Sequence, residues 1–302
     1  MNLIICHTPL QMMIADRIIK ECSNESYYLI NYYFKDNHKR KYYFNLIKKE
    51  CVVTEEIQLE NTKGLILQSI KQRIKKFNKK FEKVFVASID SMFIQSVLSS
   101  VTFTELYTFD DGVANIFQDS LLFIDKTPKY LQIIKKLLKI KYDLKALKTI
   151  SKLHYTIYNG KNIIQNCKKI SLIDYKHFIN TEASQSISIL IGQPLYKESQ
   201  KNIDYFTKVS NDYSIEFYYP HPRETYIIKG LKYINTNLIF EDYISYMIEK
   251  YQNIKLYTVF SSAILGYEDI ENIETYLIPN NDFEKEQLFL RKFNIGFTGS
   301  TK

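Results

Sequence analysis

The chain has 302 residues, of which 45% are hydrophobic and 25% are charged, which is the composition of a soluble globular protein. Its length suits two domains of about 150 residues each or one large domain. Only eight glycines occur, without a G-x-G-x-x-G or P-loop pattern, which argues against a glycine-rich phosphate cradle. The 41 basic and 33 acidic residues give a net charge of +8, which favours anionic partners such as nucleotides, acidic sugars, anionic lipid heads or nucleic acid.

The composition also bears on where the protein works. The first residues lack the basic start and long apolar core of a signal peptide, and no window approaches 18 uncharged apolar residues. The four cysteines lack metal-type spacing and are typical of buried thiols in a reducing compartment. We therefore expect a cytoplasmic protein. Its basic helical segments, 71–83 and 135–148, are predicted to be solvated faces, with peripheral contact to the inner membrane as the alternative.

Apolar runs alternate with helix-period segments along the first half of the chain. Leu3–Cys6 is a short apolar run, and after Pro9 apolar residues recur at helical spacing. This alternation predicts parallel strands joined by helices. The predicted strands are Leu3–Cys6, Tyr27–Tyr33, Cys51–Ile57, Lys83–Ser88 and Glu105–Phe109, and the later helices are Arg40–Glu50, Gly64–Phe77, Ser91–Ser99 and Pro128–Lys141.

A second alternation follows a less regular stretch at Lys148–Asn159. Its predicted strands are Lys169–Ile173, Ile187–Ile191, Ser214–Tyr219, Leu238–Phe240, Ile254–Phe260 and Glu274–Ile278, with helices at Glu198–Ser210, Glu241–Tyr251 and Phe283–Phe293. The prediction is an α/β protein of two Rossmann-like domains, residues 1–155 and 156–302, whose parallel sheets face a central cleft. We expect the last helix to pack back on the first domain.

Two carboxylates and a glycine follow the last predicted strand of the first half, as Asp110-Asp111-Gly112. One carboxylate could act as a general base while the other positions it, or the pair could bind a metal ion. Gly112 would permit a positive φ and the close approach of a ligand. Because Asp-Asp-Gly is also a common turn sequence, this pattern is weak by itself.

A single histidine stands between two prolines, directly after an aromatic strand. Pro220 and Pro222 hold His221 in a rigid, non-helical segment. Open α/β sheets bind ligands outside the carboxyl ends of their strands, where a histidine can act as an acid, a base or an anion contact. The alternative is an ordinary hydrogen-bonded loop residue.

Other polar residues follow strands of the second half. Ser261 and Ser262 either cap the next helix or hold a phosphate. Glu241 opens a helix and could accept hydrogen bonds from ribose hydroxyls. Gly192 and Gln193 end another strand, where the glycine would let a ligand approach the backbone. We interpret the remaining histidines without companions at useful spacing as structural or surface residues: His38, His154 and His177.

Together these motifs resemble those of the bacterial sialyltransferases of glycosyltransferase family 52, which modify lipooligosaccharide or capsular glycans. The resemblance lies in the opening Leu3-Ile4-Ile5-Cys6-His7-Thr8-Pro9-Leu10-Gln11, in Asp110-Asp111-Gly112, in His221-Pro222 and in Ser261-Ser262. The order and spacing of these motifs match the family over nearly the whole chain. The resemblance implies a GT-B architecture, inversion of stereochemistry, no metal ion or other cofactor, and CMP-sialic acid as donor substrate.

The resemblance also implies a role for each motif. Asp110 or Asp111 would take the proton of the acceptor hydroxyl, and His221 would protonate or hydrogen-bond the departing CMP phosphate. Ser261 and Ser262 would hold the phosphate oxygens. Further donor contacts would be Gly192, Gln193, Pro222 and Glu241, and the acceptor side would be lined by His7, Thr8, Pro9, Gln11 and Gly112.

The expected partners follow from the same resemblance. They are the nucleotide-sugar donor and an oligosaccharide or glycolipid acceptor with a terminal galactose-type hydroxyl, and the family includes homodimers. One alternative is the same fold with another nucleotide sugar. A second is a basic nucleic-acid-binding protein, but the basic residues lie on scattered helices without an interleaved aromatic module, and no recognition motif appears. A third is a sugar-binding relative without catalysis, which the full set of motifs argues against.

Overall fold

The computed structural model describes residues 1–59, 62–74, 79–125, 127–172, 185–267, 270–293 and 295–298. The chain forms two compact units, Met1–Leu172 and Ile173–Lys302. Each contains one parallel sheet with helices in the connections, as the alternation in the sequence predicts. Within the described part of the chain, no helix combines the length and apolar character needed to cross a bilayer.

The first unit contains a seven-stranded parallel sheet with the order β3-β2-β1-β4-β5-β6-β7. Every residue of the central strand β1 is buried, because a parallel sheet is covered on both faces. The strands are β1 (Asn2–Cys6), β2 (Tyr27–Tyr33), β3 (Val53–Gln58), β4 (Lys80–Val86), β5 (Thr102–Phe109), β6 (Ser151–Thr156) and β7 (Cys167–Lys169). The helices are α1 (Pro9–Glu21), α2 (His38–Ile47), α3 (Thr62–Ile74), α4 (Met92–Leu98), α5 (Lys129–Leu137) and α6 (Leu144–Ile150).

Two strands of this sheet differ from the sequence prediction. The stretch Lys148–Asn159 is not irregular throughout, because β6 lies within it and pairs in parallel with β5. β7 then pairs with β6 and ends at Lys169, where the sequence predicted a strand to begin. The two compact units consequently divide after Leu172, later than the predicted boundary at residue 155.

The second unit contains a six-stranded parallel sheet with the order β10-β9-β8-β11-β12-β13. The strands are β8 (Ser186–Ile191), β9 (Phe217–Tyr219), β10 (Lys232–Tyr233), β11 (Asn253–Thr258), β12 (Ile273–Leu277) and β13 (Gly296–Phe297). The helices are α7 (Ser199–Asp212), α8 (Phe240–Ile248) and α9 (Glu284–Arg291). The carboxyl ends of β9, β8 and β11 are neighbours at one edge of the sheet, which is where Rossmann-like folds bind ligands.

The predicted strand at Leu238–Phe240 is wrong. Phe240 is the first residue of α8, and the strand that pairs with β9 is β10, several residues earlier. The carbonyl of Leu238 accepts a hydrogen bond from the Tyr219 hydroxyl at 2.7 Å, so it is satisfied by a side chain rather than by a neighbouring strand. The end of the predicted helix Gly64–Phe77 and the residue His177 lie outside the described residues.

Candidate active site

The two adjacent carboxylates at the end of β5 have different surroundings. The Asp110 side chain is fully buried. Four donors reach its carboxylate oxygens: His154 Nε2 at 2.9 Å, Thr156 Oγ1 at 2.7 Å, the Ile157 N–H at 2.7 Å and Asn162 Nδ2 at 3.3 Å. These donors come from β6 and the loop that follows it. Asp110 therefore ties β5 to β6, and His154 is a structural residue as predicted.

Asp111 instead lines a cavity of about 400 Å³ within the first unit. Ser88 donates a hydrogen bond to Asp111 Oδ2 at 2.8 Å, and Gln11 donates one to Oδ1. Burial raises the pKa of Asp111 to about 6, although these two hydrogen bonds oppose the rise. A carboxylate in this range combines appreciable basicity with ionisation at neutral pH.

The turn between β1 and α1 holds Gln11 in place. Thr8 caps α1 by accepting a hydrogen bond from the Gln11 N–H at 3.2 Å, and Pro9 is the first residue of the helix. Gln11 is fully buried, and its Oε1 accepts the His7 N–H at 2.6 Å. The amide is therefore oriented with its Nε2 towards Asp111. Of the predicted acceptor-side residues, Thr8 and Pro9 shape the turn, while Gln11 positions the carboxylate.

His7 lines the same cavity with a fixed tautomer. Its Nδ1 lies 2.9 Å from the carbonyl oxygen of Tyr32, which can only accept, so Nδ1 carries the proton of the neutral ring. Burial lowers the pKa of His7, which keeps the ring neutral, against the opposing effect of the Tyr32 hydrogen bond. The ring stacks on Tyr32 with 4.6 Å between centroids and meets the edge of Phe34. Its Nε2 is then an acceptor beside a small aromatic wall.

The rest of the cavity wall comes from several connections. Gly112 turns the chain after Asp111 with a φ of +103°, which requires glycine. The Asp111 N–H is bound by Asn115 Oδ1 at 2.7 Å, which holds this turn. Other lining residues are Tyr32, Phe34, Ser88, Asp90, Met92, Asp125, Pro128, Leu131 and Lys135. Three carboxylates and one lysine give the cavity an acidic balance of charge, in a protein that is basic overall.

His221 follows β9 in a tight turn. Pro222 is the second residue of this turn, which closes with a hydrogen bond of 2.9 Å from the Glu224 N–H to the His221 carbonyl. His221 Nδ1 accepts the Arg223 N–H at 3.1 Å. A neutral histidine that accepts at Nδ1 carries its proton on Nε2. The turn therefore makes Nε2 the donor of this ring.

Glu224 holds the turn that contains His221 by accepting two hydrogen bonds. Its Oε1 accepts the His221 N–H at 3.0 Å and the Tyr218 hydroxyl at 2.9 Å. Its Oε2 is buried without a hydrogen-bond partner among the described residues. Burial raises the pKa of Glu224 to about 7, and the two hydrogen bonds oppose this rise. No sequence motif assigned a role to Glu224, although its position three residues after His221 in a proline turn is a usable signal.

Gly192 has a structural reason to lack a side chain. A Cβ atom there would lie 2.5 Å from the Tyr218 hydroxyl and would also collide with Glu224. The space beside Gly192 that was expected to admit a ligand is therefore occupied by the Tyr218 and Glu224 side chains. Gly192 supports the histidine turn indirectly, by leaving room for its anchor.

The Gly192 site gives a direct prediction. Gly192→Ala is expected to lower the free energy of unfolding by about 1–3 kcal/mol, because Tyr218 and Glu224 must move. It is also expected to lower activity by displacing His221. Urea unfolding of Gly192→Ala and of Gly192→Ala/Tyr218→Phe checks this, since removing the hydroxyl relieves part of the collision. Equal stability of Gly192→Ala and the parent protein would contradict it.

Gln193 connects the ends of β8 and β11. Its Oε1 accepts the Thr258 hydroxyl at 2.9 Å and the Phe260 N–H at 3.0 Å. Thr258 Oγ1 in turn accepts the Ser261 N–H at 3.0 Å. The buried Gln193 thus shapes the loop that carries the two serines. Its partner Thr258 is also buried, and no sequence motif pointed to it.

The loop that carries Ser261 and Ser262 lies near the same sheet edge as Glu241. Ser261 Oγ accepts the Ala263 N–H at 3.3 Å and caps the short 3₁₀ helix Ser262–Ile264. Both serines are half-buried, as is Glu241 in the first turn of α8. Pro222 is exposed. The predicted donor residues therefore follow adjacent strands, but Gly192 and Gln193 support the site rather than present side chains freely to it.

The described residues contain no group of three histidine, cysteine, aspartate or glutamate side chains arranged to hold a metal ion. The Asp110 and Asp111 pair is divided between a buried hydrogen-bond network and a cavity. Among the described residues, no third side chain is therefore placed to bind a metal ion together with Asp110 and Asp111.

Two Rossmann-like units with all-parallel sheets define a glycosyltransferase fold of the GT-B class. Consistent with this class, the chain is similar to the crystal structure of the glycosyltransferase of kitacinnamycin, with a TM-score of 0.57 and 6% identity over 98% of this chain and 85% of that chain. It is also similar to a calicheamicin glycosyltransferase, with a TM-score of 0.53 and 7% identity over 98% and 84% of the two chains.

The sequence itself assigns the family. The profile of glycosyltransferase family 52 matches residues 24–282, and the chain belongs to this family. It is 38% identical over 281 residues to the CMP-N-acetylneuraminate:beta-galactoside alpha-2,3-sialyltransferase of Pasteurella multocida (strain Pm70), covering 91% of this chain and 90% of that protein. It is 36% identical to the N-acetyllactosaminide alpha-2,3-sialyltransferase of Haemophilus influenzae (strain ATCC 51907 / DSM 11121 / KW20 / Rd), with 92% of both chains covered.

Proposed function

We propose that the protein transfers sialic acid from CMP-sialic acid to a terminal galactose-type hydroxyl of a bacterial surface glycan, with an α-2,3 linkage. The names of its relatives support the donor, the acceptor sugar and the linkage. The observation that carries the proposal is the difference between the two carboxylates. Asp110 is buried and accepts four hydrogen bonds, whereas Asp111 lines a cavity and has its pKa raised to about 6. We assign Asp111 as the general base and Asp110 as a structural residue.

The cavity around Asp111 suits a neutral sugar. Its carboxylates disfavour the anionic donor, and they can accept hydrogen bonds from sugar hydroxyls. The ring of His7, stacked on Tyr32, offers an apolar wall and an Nε2 acceptor for a further hydroxyl. The acceptor hydroxyl would donate to Asp111, which takes its proton as the new glycosidic bond forms.

Residues of the second unit would bind and stabilise the leaving CMP group. As the acceptor oxygen bonds to the anomeric carbon, the bond from that carbon to the CMP phosphate breaks and both of its electrons stay on the phosphate. His221 Nε2–H would donate to the developing charge, with Ser261 and Ser262 on the other phosphate oxygens. A phosphate monoester needs less neutralisation than a diphosphate, so these groups can replace a metal ion. A single displacement of this kind inverts the anomeric configuration.

The direct test is donor turnover by the purified protein in EDTA. It should release CMP from CMP-sialic acid when a galactose-terminated acceptor is present, and the product should carry an α-2,3-linked sialic acid by NMR. A thermal-shift panel of CMP, UDP and GDP should show the largest shift with CMP. A larger shift with UDP or GDP would favour the same fold acting on another nucleotide sugar, and CMP stabilisation without turnover would favour a binding protein.

The raised pKa of Asp111 predicts the acid limb of the pH profile. The base is active only when ionised, so kcat/KM should fall tenfold per pH unit below about pH 6.

The Asp111 pKa is higher in the folded protein than its ordinary value, so the contribution of Asp111 to stability is present below about pH 4 and lost as the pH rises through about 6. The stability of the parent protein relative to Asp111→Asn should therefore decline across this window in urea titrations. An unchanged difference would contradict the assigned pKa.

The cytoplasmic location, the homodimer and the lack of a nucleic-acid partner stay predictions. Each has a simple measurement: fractionation of cells, light scattering of the purified protein, and a binding titration with DNA and RNA at moderate salt.

A further inference from the structure

Three carboxylates line the cavity of the first unit, and they differ in the hydrogen bonds that they receive. Two side chains donate to Asp111. Asp125 accepts the Thr127 N–H at 2.9 Å and the Thr127 hydroxyl at 2.6 Å. Among the described residues, Asp90 receives a hydrogen bond only from its own backbone N–H. Asp90 is therefore the cavity carboxylate to which no described side chain donates.

The turn that follows β4 fixes the place of Asp90. The Ser91 N–H donates to the Ser88 carbonyl at 2.9 Å, which closes a turn with Asp90 as its third residue. Gln95 Nε2 donates to the carbonyl of Ile89, the second residue of this turn, at 2.9 Å. The first residue of the turn, Ser88, also donates its hydroxyl hydrogen to the carboxylate of the proposed base. The backbone of Asp90 is thus held in a fixed position relative to that base.

Neighbouring strands bring Asp90 and Asp111 to the same cavity. β4 pairs in parallel with β5, and the two carboxylates follow the carboxyl ends of these two strands. His7 follows β1, which pairs with β4 on its other side. Strands in a sheet lie about 4.8 Å apart, which is comparable to the width of a sugar ring. A sugar with one hydroxyl at Asp111 would therefore have other hydroxyls near Asp90.

The surroundings of Asp90 favour a hydroxyl as its partner. Asp90 is half-buried, and burial raises its pKa, whereas the hydrogen bond from its own N–H and the charge of Lys135 oppose this rise. A carboxylate that is partly removed from water is stabilised by accepting hydrogen bonds, and it has no proton to donate when ionised. Met92 and Leu131 line the same cavity and can contact the C–H groups of a sugar ring. A neutral sugar supplies both the hydrogen-bond donors and the apolar surface that suit these side chains.

We propose that Asp90 selects the acceptor sugar by accepting a hydrogen bond from a hydroxyl of galactose other than the one that reacts. This inference rests on the proposed sialyl transfer, which places galactose in the cavity that contains Asp111. Because the 3-hydroxyl would react, the hydroxyl that binds Asp90 is the 2-, 4- or 6-hydroxyl. A sugar that lacks this hydroxyl would leave the Asp90 carboxylate without a donor in the complex, and a polar site rejects a ligand in this way.

The kinetics of Asp90→Ala separate selection of the sugar from catalysis. KM for a galactose-terminated acceptor should rise about tenfold or more while kcat stays within about threefold, because the lost hydrogen bond is present in both the ground state and the transition state. Asp90→Asn, which keeps the shape of the side chain and one acceptor oxygen, should lie between Asp90→Ala and the parent. The urea midpoint should not fall, because no described side chain donates to Asp90. Asp212→Ala removes an exposed carboxylate of α7 and is the control, with unchanged kinetics.

Deoxy acceptors identify the hydroxyl that Asp90 binds. The parent protein should lose about tenfold in kcat/KM on one of the 2-, 4- and 6-deoxygalactosides, whereas Asp90→Ala should use that sugar and the full galactoside almost equally well. The same comparison is made for the binding of each galactoside in the presence of CMP, by saturation-transfer NMR, which does not require turnover. Losses that add independently on all three deoxy sugars would overturn the role of Asp90, and so would a parent-like KM of Asp90→Ala.

The two measurements separate this inference from the proposed function. Binding that shows the dependence on one hydroxyl, without any transfer of sialic acid, would support the role of Asp90 and contradict the proposed function. Transfer by the parent without this dependence would overturn the role of Asp90 alone. Neither binding nor transfer with any galactoside would overturn both. A lower urea midpoint of Asp90→Ala, with KM and kcat of the folded fraction unchanged, would make Asp90 a structural residue.

Discussion

Asp111→Asn is expected to reduce kcat by about 100-fold or more, because the amide cannot take the acceptor proton. The fold should persist, since Asp111 lines a cavity and has two side-chain partners, Ser88 and Gln11. Steady-state release of CMP and circular dichroism of the same preparation check both parts. Substrate binding should survive, so KM for the donor should change little compared with kcat.

The matched control for this variant is the same substitution one residue earlier. Four hydrogen-bond donors converge on the Asp110 carboxylate, so both of its oxygens must accept. Asp110→Asn replaces one of these oxygens with an NH₂ group, which can only donate. We expect a loss of about 3 kcal/mol in the free energy of unfolding, from an unsatisfied buried donor and weakened bonds to a charge. A stable but inactive Asp110→Asn together with an active Asp111→Asn would reverse the two assignments.

His221→Ala is expected to reduce kcat by about 100-fold, because the developing charge on the phosphate loses its donor. His38→Ala, an exposed histidine at the start of α2, is the control and should be neutral. Stability should be little changed, because the His221 N–H that binds Glu224 belongs to the backbone. Single-turnover release of CMP measures the effect on the chemical step.

The tautomer of His221 predicts which substitution restores activity. Nε2 is the donor because Nδ1 accepts from the Arg223 backbone. A glutamine amide reaches about as far as Nε2, whereas an asparagine amide reaches only as far as Nδ1. His221→Gln should therefore recover part of the rate that His221→Ala loses, and His221→Asn should not. If asparagine rescues better than glutamine, the ring works through Nδ1 and the assigned role is wrong.

Much of the architecture was predictable because it depends on local patterns. Short continuous apolar runs such as Leu3–Cys6 are typical of buried strands, and most of them are followed by a helix, which predicts two parallel sheets. The edge at which ligands bind is then known, since it lies where the strands end. Short strands were harder: β10 has two residues, and no periodicity can mark an element of that length.

The sequence by itself determined the family, the two-sheet architecture and the motifs that follow the strands, because these depend on residue order and apolar pattern. The tertiary structure decided between Asp110 and Asp111. Their types and positions are equivalent in the sequence, and only the donors of β6, a strand that the sequence did not predict, bury one of them and leave the other in a cavity. The environment of a carboxylate is set by residues distant in the chain, and it is this environment that determines its pKa and its role.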